Sequence, residues 1–235
     1  RKHYDEAAVG RAIAVAIAAG QIARDDLFLQ TKYTFQRGQD HRLPYDPASP
    51  IAIQVEESFA SSLEHLGVER IDSYLLHGPS RSVGLGAEDW AAWRAMEKIH
   101  GSGRARLLGV SNVSLDQLDI LCKDAKVKPH FVQNRCFAVS GWDRDIRSFC
   151  KINGVAYQGF SLLTANRNVL VSRQLANLSQ LHSCSPAQLI FRFAIDVGMI
   201  SLTGTSDAQH MQQDLGIFDI QMQPEEIEAI ECVAG

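Results

Sequence analysis

Short apolar runs, too brief for helices, alternate along this 235-residue chain with stretches of helical period, and that alternation limits the fold more than any other feature. The run Asp72-Ser-Tyr-Leu-Leu-His77, bounded by Gly78 and Pro79, predicts a buried strand whose last residue is a histidine. A second run, Leu27-Phe-Leu-Gln-Thr-Lys-Tyr33, carries Lys32 at its end. Four more follow over 105–111, 131–136, 154–159 and 199–204. A helix is expected over 5–19, with Ala8, Val9, Ala12, Ile13, Ala16 and Ile17 as one apolar stripe. Another is expected over 51–66, amphipathic, with Ile51, Val55, Phe59, Leu63 and Leu66 on one side and Gly67 as its stop. Further helices are expected over 88–100, 115–124 behind a Ser114 cap, 143–152, 168–182, 185–197 opened by Ser185-Pro186, and near 207–215 and 223–233.

Strands separated by helices predict a parallel sheet of βα units, an α/β fold. A closed (β/α)8 TIM barrel needs eight strands and roughly 250 residues. Here six strands are expected and the chain opens on a helix, so the expectation is such a barrel lacking its first two strands. Strands 27–33 and 199–204 would then each lack a neighbour and present an edge. The rival is an open doubly wound sheet, which usually shows a glycine-rich phosphate loop after its first strand. No G-x-G-x-x-G occurs in this chain. Nothing marks a second domain, so residues 1–235 are expected to form one.

Composition removes several function classes. A net charge of −4 without a basic block argues against nucleic acid, and the apolar runs fall short of a membrane span. The N-terminus lacks an apolar signal core. Cys122, Cys136, Cys150, Cys184 and Cys232 are odd in number and show no metal or redox spacing, as expected for reduced thiols in a cytoplasmic protein.

In a barrel of parallel strands, chemistry gathers where the strands run out into loops, and Lys32 and His77 both stand at such ends. A family resemblance is carried by five stretches in order. They are Tyr4-Asp-Glu6 with Val9-Gly10, Arg24-Asp-Asp-Leu-Phe-Leu-Gln-Thr-Lys32, Leu66-Gly-Val-Glu-Arg-Ile-Asp-Ser-Tyr-Leu-Leu-His77, Gly109-Val-Ser-Asn112, and Leu202-Thr-Gly-Thr205 with His210. Over nearly its whole length the chain resembles an aldo-keto reductase. The resemblance implies hydride transfer between a nicotinamide cofactor and a small-molecule carbonyl, with Tyr4 as general acid, Lys32 as the cation beside it and His77 orienting the carbonyl. A phenol with a pKa near 10 is a poor acid at neutral pH unless a cation or strong hydrogen bond lowers it, which agrees with those roles.

The resemblance also assigns cofactor contacts. Ser111 and Asn112 match a pair that holds the nicotinamide carboxamide, and Asn134, in Val132-Gln133-Asn134, stands where the family usually has a glutamine. Phe160 corresponds to an aromatic that stacks on the nicotinamide ring, and Ser161 and Leu162 begin a loop that contacts pyrophosphate. Where many members hold the 2′-phosphate of NADP with Lys-Ser and Arg, this chain has Gly204, Thr205 and His210. Thr205 and the amides opening the next helix remain as anion donors. NADP(H) is favoured by family habit, with NAD(H) as the other possibility.

The family's catalytic Asp precedes its Tyr and has no counterpart here, and Tyr4 lies one residue nearer Val9-Gly10 than the usual pattern has it. The expectation is a chain short of its N-terminal strands, whose activity in this form is in question. Three functional readings follow: a carbonyl reductase, a nicotinamide-binding module that does not catalyse, and a Schiff-base lyase using Lys32. A lyase has no need of the Gly-Val-Ser-Asn turn. Tyr33, Phe35 and Tyr45 are expected to wall the substrate pocket, whereas Trp90 and Trp93 are expected to be helix packing.

Overall fold

A computed structural model describes residues 5–233, so Tyr4 lies outside the described residues. The chain divides into two compact units, Arg1–Phe131 and Val132–Gly235.

The first unit opens with α1 (Glu6–Ala18), capped by the Asp5 carboxylate, which accepts from the Ala8 amide at 2.9 Å. It continues through β1 (Gln30–Tyr33), α2 (Ile51–Leu66), β2 (Ile71–Leu76), α3 (Ala87–Gly101), β3 (Ala105–Ser111) and α4 (Leu115–Asp124). β1 pairs in parallel with β2, and β2 with β3, in the registers Lys32 to Leu75 and Leu75 to Gly109. Among the described residues β1 borders only β2. The helix expected over 51–66 has those bounds, with Gly67 left-handed at its end. Ser114 caps α4 and forms a reciprocal box with Gln117.

Val55 and Phe59 of α2, Tyr74 and Leu75 of β2, Trp93 and Met96 of α3 and Leu108 of β3 are fully or almost fully buried. Phe59 meets Tyr74 edge to face at 4.9 Å. Emptying the Phe59 site would cost about 3–5 kcal/mol. Trp93 is buried as helix packing and donates to the Val127 carbonyl.

Gly109 lies where an added Cβ would meet the Phe131 carbonyl oxygen at 2.8 Å and Leu75 Cγ at 3.0 Å. The glycine of Gly-Val-Ser-Asn therefore permits close backbone packing, and alanine there would overpack the sheet.

Of the two amphipathic expectations, that for α2 holds for Val55, Phe59 and Leu66, which are buried, and that for α1 needs correction. In α2 the polar side chains Gln54, Ser58 and Ser62 are buried, while Ile51 and Leu63 are only half-buried. Gln54 accepts from the Tyr33 hydroxyl and donates to the Ser49 carbonyl at 2.8 Å, so its burial is compensated. In α1 the expected apolar stripe is not turned inward, for Val9 and Ile17 are exposed. Gly10 packs against the end of α2 instead, and Glu6 accepts from the hydroxyls of Thr31 and Ser62. These polar contacts set the rotation of the helix.

The strands' starting ends are tied by charge. Asp72 accepts from the Leu29 amide at 2.9 Å and pairs with Arg24 at 3.0 Å and Arg106 at 3.5 Å. Burial raises the Asp72 pKa, but the Leu29 amide and the two arginines outweigh it and hold the carboxyl below its ordinary range.

The second unit holds β4 (Phe131–Arg135) from its second residue onward, α5 (Arg144–Asn153), β5 (Ala156–Phe160), α6 (Arg167–Leu170), α7 (Arg173–His182), α8 (Pro186–Asp196), β6 (Met199–Ser201), α9 (Ala208–Leu215) and α10 (Pro224–Glu231). β5 and β6 pair in parallel, Gly159 opposite Ser201. The single helix expected over 168–182 is two, because Ser172 leaves helical geometry and caps α7 through the Leu175 amide. Trp142 is fully buried, packs on Phe193 at 5.1 Å and donates to the Ile230 carbonyl. Glu231 pairs with Arg144 and Arg147, fastening α10 to α5.

Candidate active site

In the first unit Lys32 is the third residue of β1, and His77 follows the last residue of β2. The His77 amide donates to the Tyr33 carbonyl at 2.8 Å, which brings the two strand ends into step. Ser111 ends β3, fully buried, and Asn112 follows it with φ +52°. Asparagine tolerates that left-handed backbone better than most residues. From there the Asn112 amide group donates to the His77 carbonyl at 2.8 Å and to Ser111 Oγ at 3.1 Å. Lys32, His77, Ser111 and Asn112 thus stand at the ends of three consecutive parallel strands.

Burial lowers the Lys32 pKa from its ordinary 10.5, with the Glu6 carboxylate opposing part of the shift. His77 Nδ1 lies 2.7 Å from Thr34 Oγ1, so Thr34 sets the ring's orientation. Sequence reasoning missed Thr34, whose only local signal is that it follows a strand.

The aromatic pocket walls are corrected. Tyr33, Phe35 and Tyr45 are buried against one another, with Tyr33 centred 5.2 Å from Phe35 and 5.7 Å from Tyr45. Tyr33 donates to Gln54 and Tyr45 to the Thr34 carbonyl, so they brace the loop after β1. Burial pushes the Tyr33 phenol up, and the Tyr45 phenol up to about 12.

In the second unit Phe160 is half-buried at the end of β5, Ser161 follows with φ +57°, and Leu162 is buried. Asn166, another residue the sequence did not single out, ties this turn together. Its side chain donates to the Leu162 and Cys136 carbonyls at 2.8 and 3.0 Å and accepts from the Ala138 amide at 2.7 Å. Asn134 is buried and donates to the Asp143 carboxylate at 3.0 Å, which also accepts from the Tyr157 hydroxyl.

Gly204 and Thr205 follow β6, and the Leu202 amide donates to the Gly159 carbonyl, so the turns after β5 and β6 are neighbours. His210 is exposed on α9. The amides of Gln209 and His210 already donate to Asp207 Oδ1, at 2.8 and 3.1 Å. An anion at the start of α9 would meet a carboxylate there, which corrects the expectation that these amides stand open.

Among the described residues no group of His, Cys, Asp and Glu could hold a metal ion, and no helix is long and apolar enough to cross a membrane.

The model of the Aldo/keto reductase family matches residues 1–234. The chain belongs to that family. It is 27% identical over 222 residues to the glyoxal reductase of Bacillus subtilis, covering 94% of this chain and 73% of that protein. It is 30% identical to the D-galacturonate reductase of Fragaria ananassa, covering 97% and 75%. The crystal structure of a Bombyx mori aldo-keto reductase in complex with NADP superposes with a TM-score of 0.79 at 26% identity, covering 97% of this chain and 74% of that one. The fold is the family's (β/α)8 type, of which the described residues carry six strands.

Proposed function

We propose that this aldo-keto reductase reduces an aldehyde or ketone to an alcohol at the strand ends bearing Lys32 and His77, using NADP(H) in preference to NAD(H). The observation that carries the reading is the placement of a desolvated lysine, an oriented histidine and a Ser-Asn pair at the ends of three consecutive strands. The donor set fits a nicotinamide. In the first unit Ser111 and Asn112 offer hydroxyl and amide groups of the kind a carboxamide needs, while Asn134 and Phe160 of the second unit are assigned to the nicotinamide by the family resemblance alone. Ser161, Leu162, Gly204, Thr205 and His210 are assigned to the rest of the dinucleotide. A bound reduced nicotinamide supplies the hydride.

The chain's own residues would do the acid chemistry. His77 donates toward the carbonyl oxygen as negative charge develops there. Tyr4 gives that oxygen its proton, and the Lys32 ammonium lowers the cost of leaving a phenolate behind. Support for Tyr4 comes from its rivals. All four described tyrosines, Tyr33, Tyr45, Tyr74 and Tyr157, have hydroxyls engaged inside the protein and phenols pushed up by burial.

The test is fluorescence titration of the full-length protein with NADPH and NADH, followed by turnover of a reactive aldehyde. Lys32→Met and His77→Ala should bind cofactor within a few-fold of wild type and lose turnover. Tight binding by wild type without reduction of any aldehyde would leave the non-catalytic module as the better reading. The lowered Lys32 pKa also suits an amine nucleophile. Borohydride trapping of a carbonyl compound on Lys32 would favour that lyase chemistry.

A further inference from the structure

Beside the loop that follows His77 the first unit has a cavity of about 500 Å³ whose wall shares only Asn112 with the roles assigned above. Its wall includes Arg37, Pro79, Arg81, Asn112, Ser114 and Gln117, and no lining residue carries a carboxylate. We propose that this cavity receives a carboxylate or phosphate group borne by the carbonyl substrate, held between the guanidinium groups of Arg37 and Arg81. The proposal rests on the reductase reading and names the substrate class for the same site.

The two arginines are positioned without acidic partners. Arg37 donates to the Pro79 carbonyl at 2.6 Å and its guanidinium lies 5.6 Å from the centre of the buried Phe35 ring. The Arg81 guanidinium lies over Gly86, where an added Cβ would meet Arg81 Nε at 3.0 Å and Cζ at 3.2 Å. Among the described residues neither arginine forms an ion pair, which is also true of Arg11, Arg94, Arg104, Arg135, Arg167 and Arg173; what sets Arg37 and Arg81 apart is that they line one cavity. Two full positive charges in one wall, unneutralised from within, fit an anionic ligand.

The loop that carries Arg81 is held in place. The Asp89 carboxylate accepts from the Ser80 amide, the Ser80 hydroxyl at 2.8 Å and the Gly86 amide at 2.7 Å. From the other side Gln117 Nε2 donates to the Arg81 and Gly84 carbonyls at 3.0 and 2.8 Å. Asp89 thus spends its charge on the backbone of this loop, and the loop presents Arg81 without refolding on binding.

Position links the cavity to the chemistry. Pro79, which holds Arg37, is two residues beyond His77, and Asn112 in the wall donates to the His77 carbonyl. A substrate with its carbonyl at His77 would carry its anionic group a short way along the molecule, toward the arginines.

The experiment compares kcat/KM for 4-carboxybenzaldehyde against benzaldehyde, and for glyceraldehyde 3-phosphate against glyceraldehyde, in wild type, Arg37→Gln and Arg81→Gln. Calorimetric binding of benzoate and of inorganic phosphate is measured alongside and needs no turnover. Wild type should prefer the charged member of at least one pair, and each substitution should reduce that preference by about 10-fold or more. The pair affected identifies carboxylate or phosphate as the group. A wild-type preference that survives both substitutions, or no preference in either pair while aldehydes are reduced, overturns the proposal and leaves the reductase reading standing. A matching rise in KM for the cofactor in both variants also overturns it, because the arginines would then serve the dinucleotide. If no aldehyde is reduced but benzoate or phosphate binds and either substitution abolishes the binding, the reductase reading fails and the anion site stands.

Discussion

The two ends of the strands in the first unit make an instructive contrast. At their starting ends, Asp72 collects Arg24, Arg106 and the Leu29 amide into a closed set in which opposite charges meet within 3.5 Å. At their finishing ends stands Lys32, whose pKa burial lowers, near a histidine aimed by Thr34 and an asparagine held in left-handed geometry. Charged residues border the strands at both ends, and sequence alone does not separate the two kinds. What separates them is the direction in which burial and neighbours push each charge. The starting end pairs its charges with each other and with the backbone, which stabilises, whereas at the finishing end burial works against the Lys32 charge, a shift that suits a site acting on a substrate.

The largest expected effect falls on Lys32. Lys32→Met should reduce turnover by about 100-fold or more, the scale of a lost acid–base contribution, with the melting temperature unchanged or higher because a buried cation is gone. Steady-state kinetics beside calorimetric melting checks both parts. Asp72→Ala should do the reverse. It would destabilise the fold by about 1–3 kcal/mol while leaving kcat unchanged well below the melting temperature, and a folded Asp72→Ala protein without turnover would dissolve the contrast.

pH sharpens the comparison. The ammonium form of Lys32 supports the reaction, so turnover should fall along an alkaline limb below 10.5 that Lys32→Met abolishes. Over that window the unfolded lysine binds more protons than the folded one, so the Lys32 contribution to stability rises with pH while activity falls. The lowered Asp72 carboxyl acts in the acid range. Its contribution is present above the ordinary carboxylate value and is lost as pH falls through the folded value, a loss that melting curves of wild type and Asp72→Ala would reveal. The smallest effect concerns ring orientation. Thr34→Val should lower kcat by about 10-fold and Thr34→Ser should restore most of it, since only the hydroxyl meets Nδ1.

The fold was readable where its causes are local. Gly67 and Ser114 end or begin helices through contacts within a few residues, and both boundaries stand where the residues predict them. The βα alternation, carried by run lengths, foretold six strands in order. The misses have distant causes. Gln54, inside a helix, is buried because it reaches Tyr33, and Asp72 acquires its meaning from Arg24 and Arg106. The face of α1 was misjudged because Glu6 and Gly10 set its rotation through α2 and β1, outweighing a weak apolar stripe. Strand-end position marks Lys32 and His77 as candidates and the family resemblance marks Ser111 and Asn112, whereas nothing marks Thr34, Asn166 and Asp207, whose roles rest on hydrogen bonds that spacing does not encode.

The most direct test follows the hydride itself. Full-length protein is given an aldehyde and NADPH carrying deuterium at the transferable position of its nicotinamide, and the alcohol product is analysed by mass spectrometry in single turnover. The account predicts deuterium on the former carbonyl carbon with wild type, and transfer slowed by about 100-fold in Lys32→Met and His77→Ala although both bind NADPH. Transfer at the wild-type rate in either variant, or none in wild type saturated with NADPH, would contradict it.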